Sequence, residues 1–80
     1  MTARTQPPAG WSVELLGLIA AVRFDNGDRQ LLWCDGRWSI ERRDQRGRAM
    51  SVPALSVPRA TSMDEARRVG CAWLHEIESS

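Results

Sequence analysis

The stretch LIAAVRFDNGDRQLLWCDGRWSI, residues 18–40, decides the fold. It holds Asn26-Gly27 and Asp35-Gly36, each between apolar runs. Such pairs are the strongest short-range hairpin signal, because the two-residue loops that match strand twist need positive φ at both central positions. With Asp35-Gly36 as a loop, Cys34 faces Arg37, Trp33 faces Trp38, Leu32 faces Ser39 and Leu31 faces Ile40. Side chains alternate along a strand, so Leu31, Trp33, Trp38 and Ile40 share one face. Gln30, Leu32, Cys34, Arg37, Ser39 and Glu41 share the other. With Asn26-Gly27 as a second loop, Phe24 faces Arg29, Val22 faces Leu31 and Ala20 faces Trp33. That adds Leu18, Ala20, Val22 and Phe24 to the first face. Two independent turn signals therefore predict one apolar face, which a slip of one residue would send to the opposite side.

Outward from this core, strands are expected at residues 18–24, 29–34, 37–43 and 48–52. Asp44-Gln45-Arg46-Gly47 makes the third turn, and Pro53 ends the last strand because it cannot donate to a ladder. The near-repeat Ser51-Val52-Pro53-Ala54 and Ser56-Val57-Pro58-Arg59 reads as an extended connecting segment. Residues 12–16 fit either a short helix capped by Ser12 or a first strand, with the strand preferred and Gly17 marking a bend. Ser62 and Glu65 have the spacing of a capping box, in which the serine hydroxyl accepts from the third helical N–H and the glutamate reaches back. The helix they open should run over residues 63–78 and carry Met63, Ala66, Gly70, Trp73, Leu74 and Ile77 on one face. Gly70 costs about 1 kcal/mol of helix propensity against alanine. A close approach of helix to sheet over a tryptophan explains it. The expected fold is α+β: an antiparallel four-stranded β-meander with one C-terminal helix packed on one face. Residues 1–10 read as a flexible tail and residues 11–80 as one domain.

The chain has 80 residues, and its 11 basic residues, all arginine, nearly balance 10 acidic ones. A net charge of +1 implies neither nucleic acid nor a strongly acidic partner. So short a chain buries only roughly 60–65% of its unfolded surface, so a partner or a second copy would add stability. Four tryptophans supply part of the missing core. Cys34 and Cys71 are too few for a disulfide framework and read as reduced thiols of a cytoplasmic protein. The apolar run 13–22 carries Glu14 and is too short to span a membrane.

Little in the sequence carries chemistry. Cys71 and His75 lie one helical turn apart, a spacing that metal ligands use, but Cys34 falls on the face away from the helix and no third ligand is evident. No nucleophile–base pair, phosphate loop or paired-cysteine motif is present, so neither an enzyme nor a cofactor is expected. Two surfaces remain. Leu15, Ile19, Ala21, Leu32 and Cys34 would make an apolar patch on the uncovered sheet face, bordered by Arg23, Gln30, Arg37, Ser39 and Glu41. It is either open to a partner or covered by Trp11 and the N-terminal segment. The other surface is the end where the first and third turns meet. It gathers Arg23, Arg29, Arg42, Arg43, Arg46 and Arg48, with Asp25, Asp28, Glu41 and Asp44 cancelling much of their charge.

The order of a meander with the hairpin Asp35-Gly36-Arg37-Trp38, then Ser62 to Ala66 opening a last helix, resembles small proteins of bacteriophages and mobile elements. Its motifs are structural and imply no function by themselves; some phage proteins of this size act by occupying a binding surface of a host enzyme, an analogy of size and architecture. The expected function is a small non-enzymatic protein-binding module, of the phage-inhibitor or accessory-factor kind. It would bind a protein partner or a second copy through Ile19, Leu32, Cys34 and Arg37. The alternative is nucleic-acid binding through Arg42, Arg43, Arg46 and Arg48.

Overall fold

The structure, a computed structural model, describes residues 6–79. Five strands follow in order, β1 (Ser12–Leu16), β2 (Ala21–Asp25), β3 (Arg29–Cys34), β4 (Arg37–Arg43) and β5 (Ala49–Pro53), and then helix α1 (Met63–Ser79). Each strand pairs antiparallel with the next, giving a sheet of order β1-β2-β3-β4-β5. The α+β meander-plus-helix architecture is as expected, but the sheet has five strands rather than four. The added strand is Ser12–Leu16, which pairs with β2 from Ser12 opposite Asp25 to Leu16 opposite Ala21. The expected strand at residues 18–24 is shorter, because Gly17–Ile19 forms a 3₁₀ turn and Ala20 turns the corner in the left-handed region, at φ 50°.

The Asp35-Gly36 hairpin has the expected register, Cys34 with Arg37 through Leu31 with Ile40, with Asp35 and Gly36 both at positive φ. The Asn26-Gly27 hairpin differs by two residues. Phe24 faces Leu31 and Val22 faces Trp33, around a loop of residues 26–28 closed by an Asn26 N–H to Arg29 carbonyl bond of 3.1 Å. Side chains stabilise the longer loop. Asp25 Oδ1 accepts from Gly27 N at 2.8 Å, and Asn26 Oδ1 accepts from Asp28 N at 2.9 Å and Arg29 N at 2.7 Å. These local bonds supply the backbone partners that a two-residue loop would leave to the ladder. A shift of two preserves face parity, so Val22 and Phe24 remain on the apolar side.

That side is the core. Val22, Phe24, Leu31, Trp33, Trp38, Ala66, Cys71 and Leu74 are buried together, with Trp11, Val13, Ile40 and Trp73 packed at the margin. Cys71 is fully buried, and burial pushes its thiol above the ordinary value, with Arg67 pulling back. Gly70 lies against the sheet as its neighbours require. A β-carbon there would stand 2.5 Å from Phe24 Cε1 and 3.2 Å from Trp38 Cη2. The near neighbour is thus Phe24 first, with the expected tryptophan beside it. Phe24 and Trp38 stack with ring centroids 6.4 Å apart.

The connector from β5 to α1 joins the core more closely than an edge segment would. Ala54, Val57 and Ala60 are buried, every third residue turned inward. Two indoles hold it: Trp38 Nε1–H donates to the Pro58 carbonyl at 3.0 Å and Trp33 Nε1–H to the Ala60 carbonyl at 3.2 Å. Ala54 N and Asp44 N donate to Trp38 and Arg48 carbonyls respectively, which fixes the hydrogen-bonding phase of β4 and β5. Ala49, Ser51 and Pro53 therefore turn their backbone groups to the open edge, where proline has no N–H to offer.

At the helix start, Glu65 N donates to Ser62 Oγ at 3.1 Å, the first half of the capping box. Glu65 Oε1 reaches back one residue further than that motif requires, accepting from Thr61 N at 2.8 Å and Thr61 Oγ1 at 2.9 Å. The Thr61 backbone bond, then its hydroxyl, holds the Glu65 carboxyl below its ordinary value of 4.5. A lowered folded-state value stabilises the fold above the ordinary value, and this support disappears as pH falls through the folded value. Thermal melts in acid should therefore fall less steeply for Glu65→Gln than for the parent between pH 6 and pH 3, as followed by circular dichroism. Equal slopes would show that the cap does not persist in solution.

Candidate functional site

The face of the sheet away from α1 carries Leu16, Ala21, Arg23, Leu32, Cys34, Arg37 and Ser39, read from the strand register, with Ala21 fully buried and Leu16, Leu32 and Cys34 half-buried. Ala21, Leu32 and Cys34 share this face, as the sequence implies. Leu15 does not: it stands opposite Val22 and so faces the helix side, and Leu16 takes its place. Trp11 packs on the core side, so it does not cover the patch. Arg23 forms an ion pair with Glu14 across the first two strands, making one polar border.

Ile19 is not in a strand, yet it reaches the same region. Its carbonyl lies 3.9 Å from Cys34 Sγ, and Cys34 stands opposite both Ala21 and Arg37. The backbone of Ile19 therefore meets Cys34, which shares its sheet face with Leu32 and Arg37. The 3₁₀ turn adds Leu18, which the sequence reading placed in the core. Leu18 is 103% exposed and Ile19 61% exposed. The corner is held by an Ala20 N–H to Gly17 carbonyl bond of 3.4 Å and by Ala20 in the left-handed region. A β-carbon makes that conformation costly, by about 1–2 kcal/mol. Left-handed alanine presenting a fully exposed leucine is a local departure from what stability favours.

The four arginines of the alternative reading do not form one surface. Arg42 and Arg43 point to opposite faces of β4. Arg46 and Arg48 belong to the turn organised by Asp44, whose Oδ1 accepts from Arg46 N at 2.9 Å and Arg48 N at 2.8 Å. The Arg48 guanidinium also lies 3.4 Å from Asp44 Oδ2.

Cys71 and His75 diverge as well. Cys71 is buried under the helix, while His75 Nε2 is hydrogen-bonded to the Gln6 carbonyl at 2.9 Å. Among the described residues no three His, Cys, Asp or Glu side chains are grouped to hold a metal ion. Among them, too, no helix is long and apolar enough to cross a membrane.

A second concavity escaped the sequence reading. On the helix side, at the end where the first and third turns meet, a cleft of about 150 Å³ opens between β3–β4 and the last turns of α1. Trp11, Leu31, Ile40, Trp73 and Leu74 line it, and Arg29 and Arg42 stand at the same place. The sequence pattern assigns Leu31, Ile40, Trp73 and Leu74 to the core, Trp11, as one alternative, to a cover of the opposite face, and the arginines to a turn cluster. Arg29 stands opposite Arg42 as the Asp35-Gly36 register implies, and it is the placement of Trp11 and of Trp73 and Leu74 from α1 beside Leu31 and Ile40, which that register does not give, that completes the cleft.

Comparison with protein-family models, with curated proteins and with solved structures finds no match to this chain.

Proposed function

We propose that this chain is a small protein-binding module that docks a protein partner on the sheet face opposite α1, with the Gly17–Ile19 corner as its anchor. The observation that carries this reading is Leu18, fully exposed on a corner held by left-handed Ala20, where the next residue, Ile19, meets Cys34 through its backbone carbonyl. A leucine presented in this way suits a pocket on a partner, where burying it contributes about 1.5–3 kcal/mol. Arg37 on the same face is exposed and has no carboxylate within ion-pair distance among the described residues. It favours a partner with an acidic border beside that pocket. Such a module works by covering a surface, as an inhibitor or accessory factor does, and needs no catalytic group.

The test is affinity capture from cells that express the chain, followed by light scattering of the purified complex. Leu18→Asp and Leu32→Glu should each lose the captured protein while melting as the parent does. Leu55→Asp, at an equally exposed leucine in the connector, should retain it. Three outcomes would overturn the reading: no stoichiometric complex, a complex indifferent to both substitutions, or a self-dimer of the isolated chain that these substitutions dissociate. Binding to DNA or RNA that falls steeply with salt and depends on Arg42, Arg43, Arg46 and Arg48 would instead favour the nucleic-acid alternative.

A further inference from the structure

We propose that the cleft between α1 and strands β3–β4 binds a small carboxylate carrying one ring or one branched aliphatic group. It lies on the opposite face of the sheet from the docking surface above and rests on different residues.

A volume of about 150 Å³ is that of an apolar cavity able to take a single benzene ring. Here the walls are Trp11 and Trp73, with Leu31, Ile40 and Leu74 as the floor. Two indole faces and three aliphatic side chains suit a flat ring or a compact branched chain. Gln30 also lines the cleft and adds one uncharged amide, while a charged ligand is oriented by Arg29 and Arg42 at the mouth.

The mouth supplies charge. Arg29 and Arg42 are directly opposed across β3 and β4, two residues along from Leu31 and Ile40 on the same face. Like charges in that relation destabilise a sheet. Among the described residues Arg23 pairs with Glu14, Arg48 with Asp44 and Arg68 with Asp64, whereas Arg29 and Arg42, like Arg37, have no carboxylate within ion-pair distance. Asp25, Asp28 and Glu41 share a neighbouring concavity with Arg42 and offset part of this opposition from the other side, and an anion between the two guanidinium groups would remove the rest. Two guanidinium groups with planar donor forks match a carboxylate in geometry as well as charge. A ring in the cleft and a carboxylate at its mouth satisfy both halves of the site together.

Tryptophan emission reports on the site directly, since two of the four indoles line it. The full chain is titrated at neutral pH with benzoate, phenylacetate, 3-phenylpropionate and 4-methylpentanoate, and with the primary amide of each. At least one acid should shift the emission saturably and bind at least tenfold more tightly than its amide. Arg42→Gln and Arg29→Gln should each erase that preference, with melting temperature unchanged or raised because a like-charge opposition is gone. The proposal fails if no acid in the panel saturates, or if acid and amide bind alike. It fails equally if the preference survives both substitutions, or if either substitution lowers the melting temperature, which would give the arginines a structural role instead.

Discussion

Trp38→Ala should leave this domain with little or no cooperative unfolding transition at 25 °C. Three attachments meet in that residue. Its ring, 8% exposed, stacks on Phe24; its indole N–H holds the connector at Pro58; its backbone carbonyl accepts from Ala54 N. Truncating a buried tryptophan costs about 3–5 kcal/mol. The Pro58 carbonyl then loses its donor, a further cost of about 1–3 kcal/mol where water does not replace it. An 80-residue domain has only about 4–12 kcal/mol in total at 0.05–0.15 kcal/mol per residue. Trp38→Phe separates the two contributions, keeping an aromatic ring against Phe24 while removing the donor. It should lose about 1–3 kcal/mol and keep a sharp transition. Urea titration followed by far-ultraviolet circular dichroism measures both variants. A Trp38→Ala midpoint close to the parent would mean that the connector is not held through this indole.

The importance of that attachment was not legible in the sequence. Residues 51–59 showed two Ser-Val-Pro units and no period of two or 3.6, so they read as an extended link. A buried residue at every third position, Ala54, Val57 and Ala60, belongs to neither helix nor strand patterning. Only the indole donors of Trp33 and Trp38, whose targets lie more than fifteen residues away, make a core element of it. The hairpin faces, in contrast, were legible, because alternation fixes parity even where loop length is misjudged. The two-residue change at Asn26-Gly27 moved every pairing of that hairpin and no side chain to the wrong face. The opposition of Arg29 and Arg42 was itself legible, since it follows from the Asp35-Gly36 register; the cleft beside it was not, because nothing in the pattern places Trp11 and Trp73 over Leu31 and Ile40.

The same distinction applies to the docking surface. Leu32, Cys34 and Arg37 could be placed together from register alone. Leu18 could not, because an apolar residue continuing an alternating pattern reads as core. The 3₁₀ turn at Gly17–Ile19 breaks that pattern, and the only sequence signal for it was Gly17, read as a bend. Residues that leave the pattern at a corner are those most exposed here, which is why pattern-based reading gives the frame more reliably than the working surface.

Gly70→Ala should destabilise the fold although it improves the helix. In an exposed helix interior the change would add about 1 kcal/mol of propensity. Here the new methyl would enter the space of Phe24, within 2.5 Å of Cε1, with Cζ nearer still. Phe24 cannot swing clear: it is fully buried and Trp38 stacks on it. Helix and sheet must then separate or the ring must leave its rotamer, at about 1–3 kcal/mol for overpacking of this kind, and more where the clash is severe. The net expectation is a loss of about 1–2 kcal/mol, which lowers the melting temperature by about 4–8 °C per kcal/mol in a domain of this size. Phe24→Leu removes the atoms the methyl would strike. In that background Gly70→Ala should become neutral or stabilising, a coupling of about 1–3 kcal/mol between the two positions. This reversal of sign distinguishes a close approach from a general intolerance of change at position 70. Additive effects in the double variant, or a Gly70→Ala protein more stable than the parent, would show that the helix does not lie against Phe24 as described.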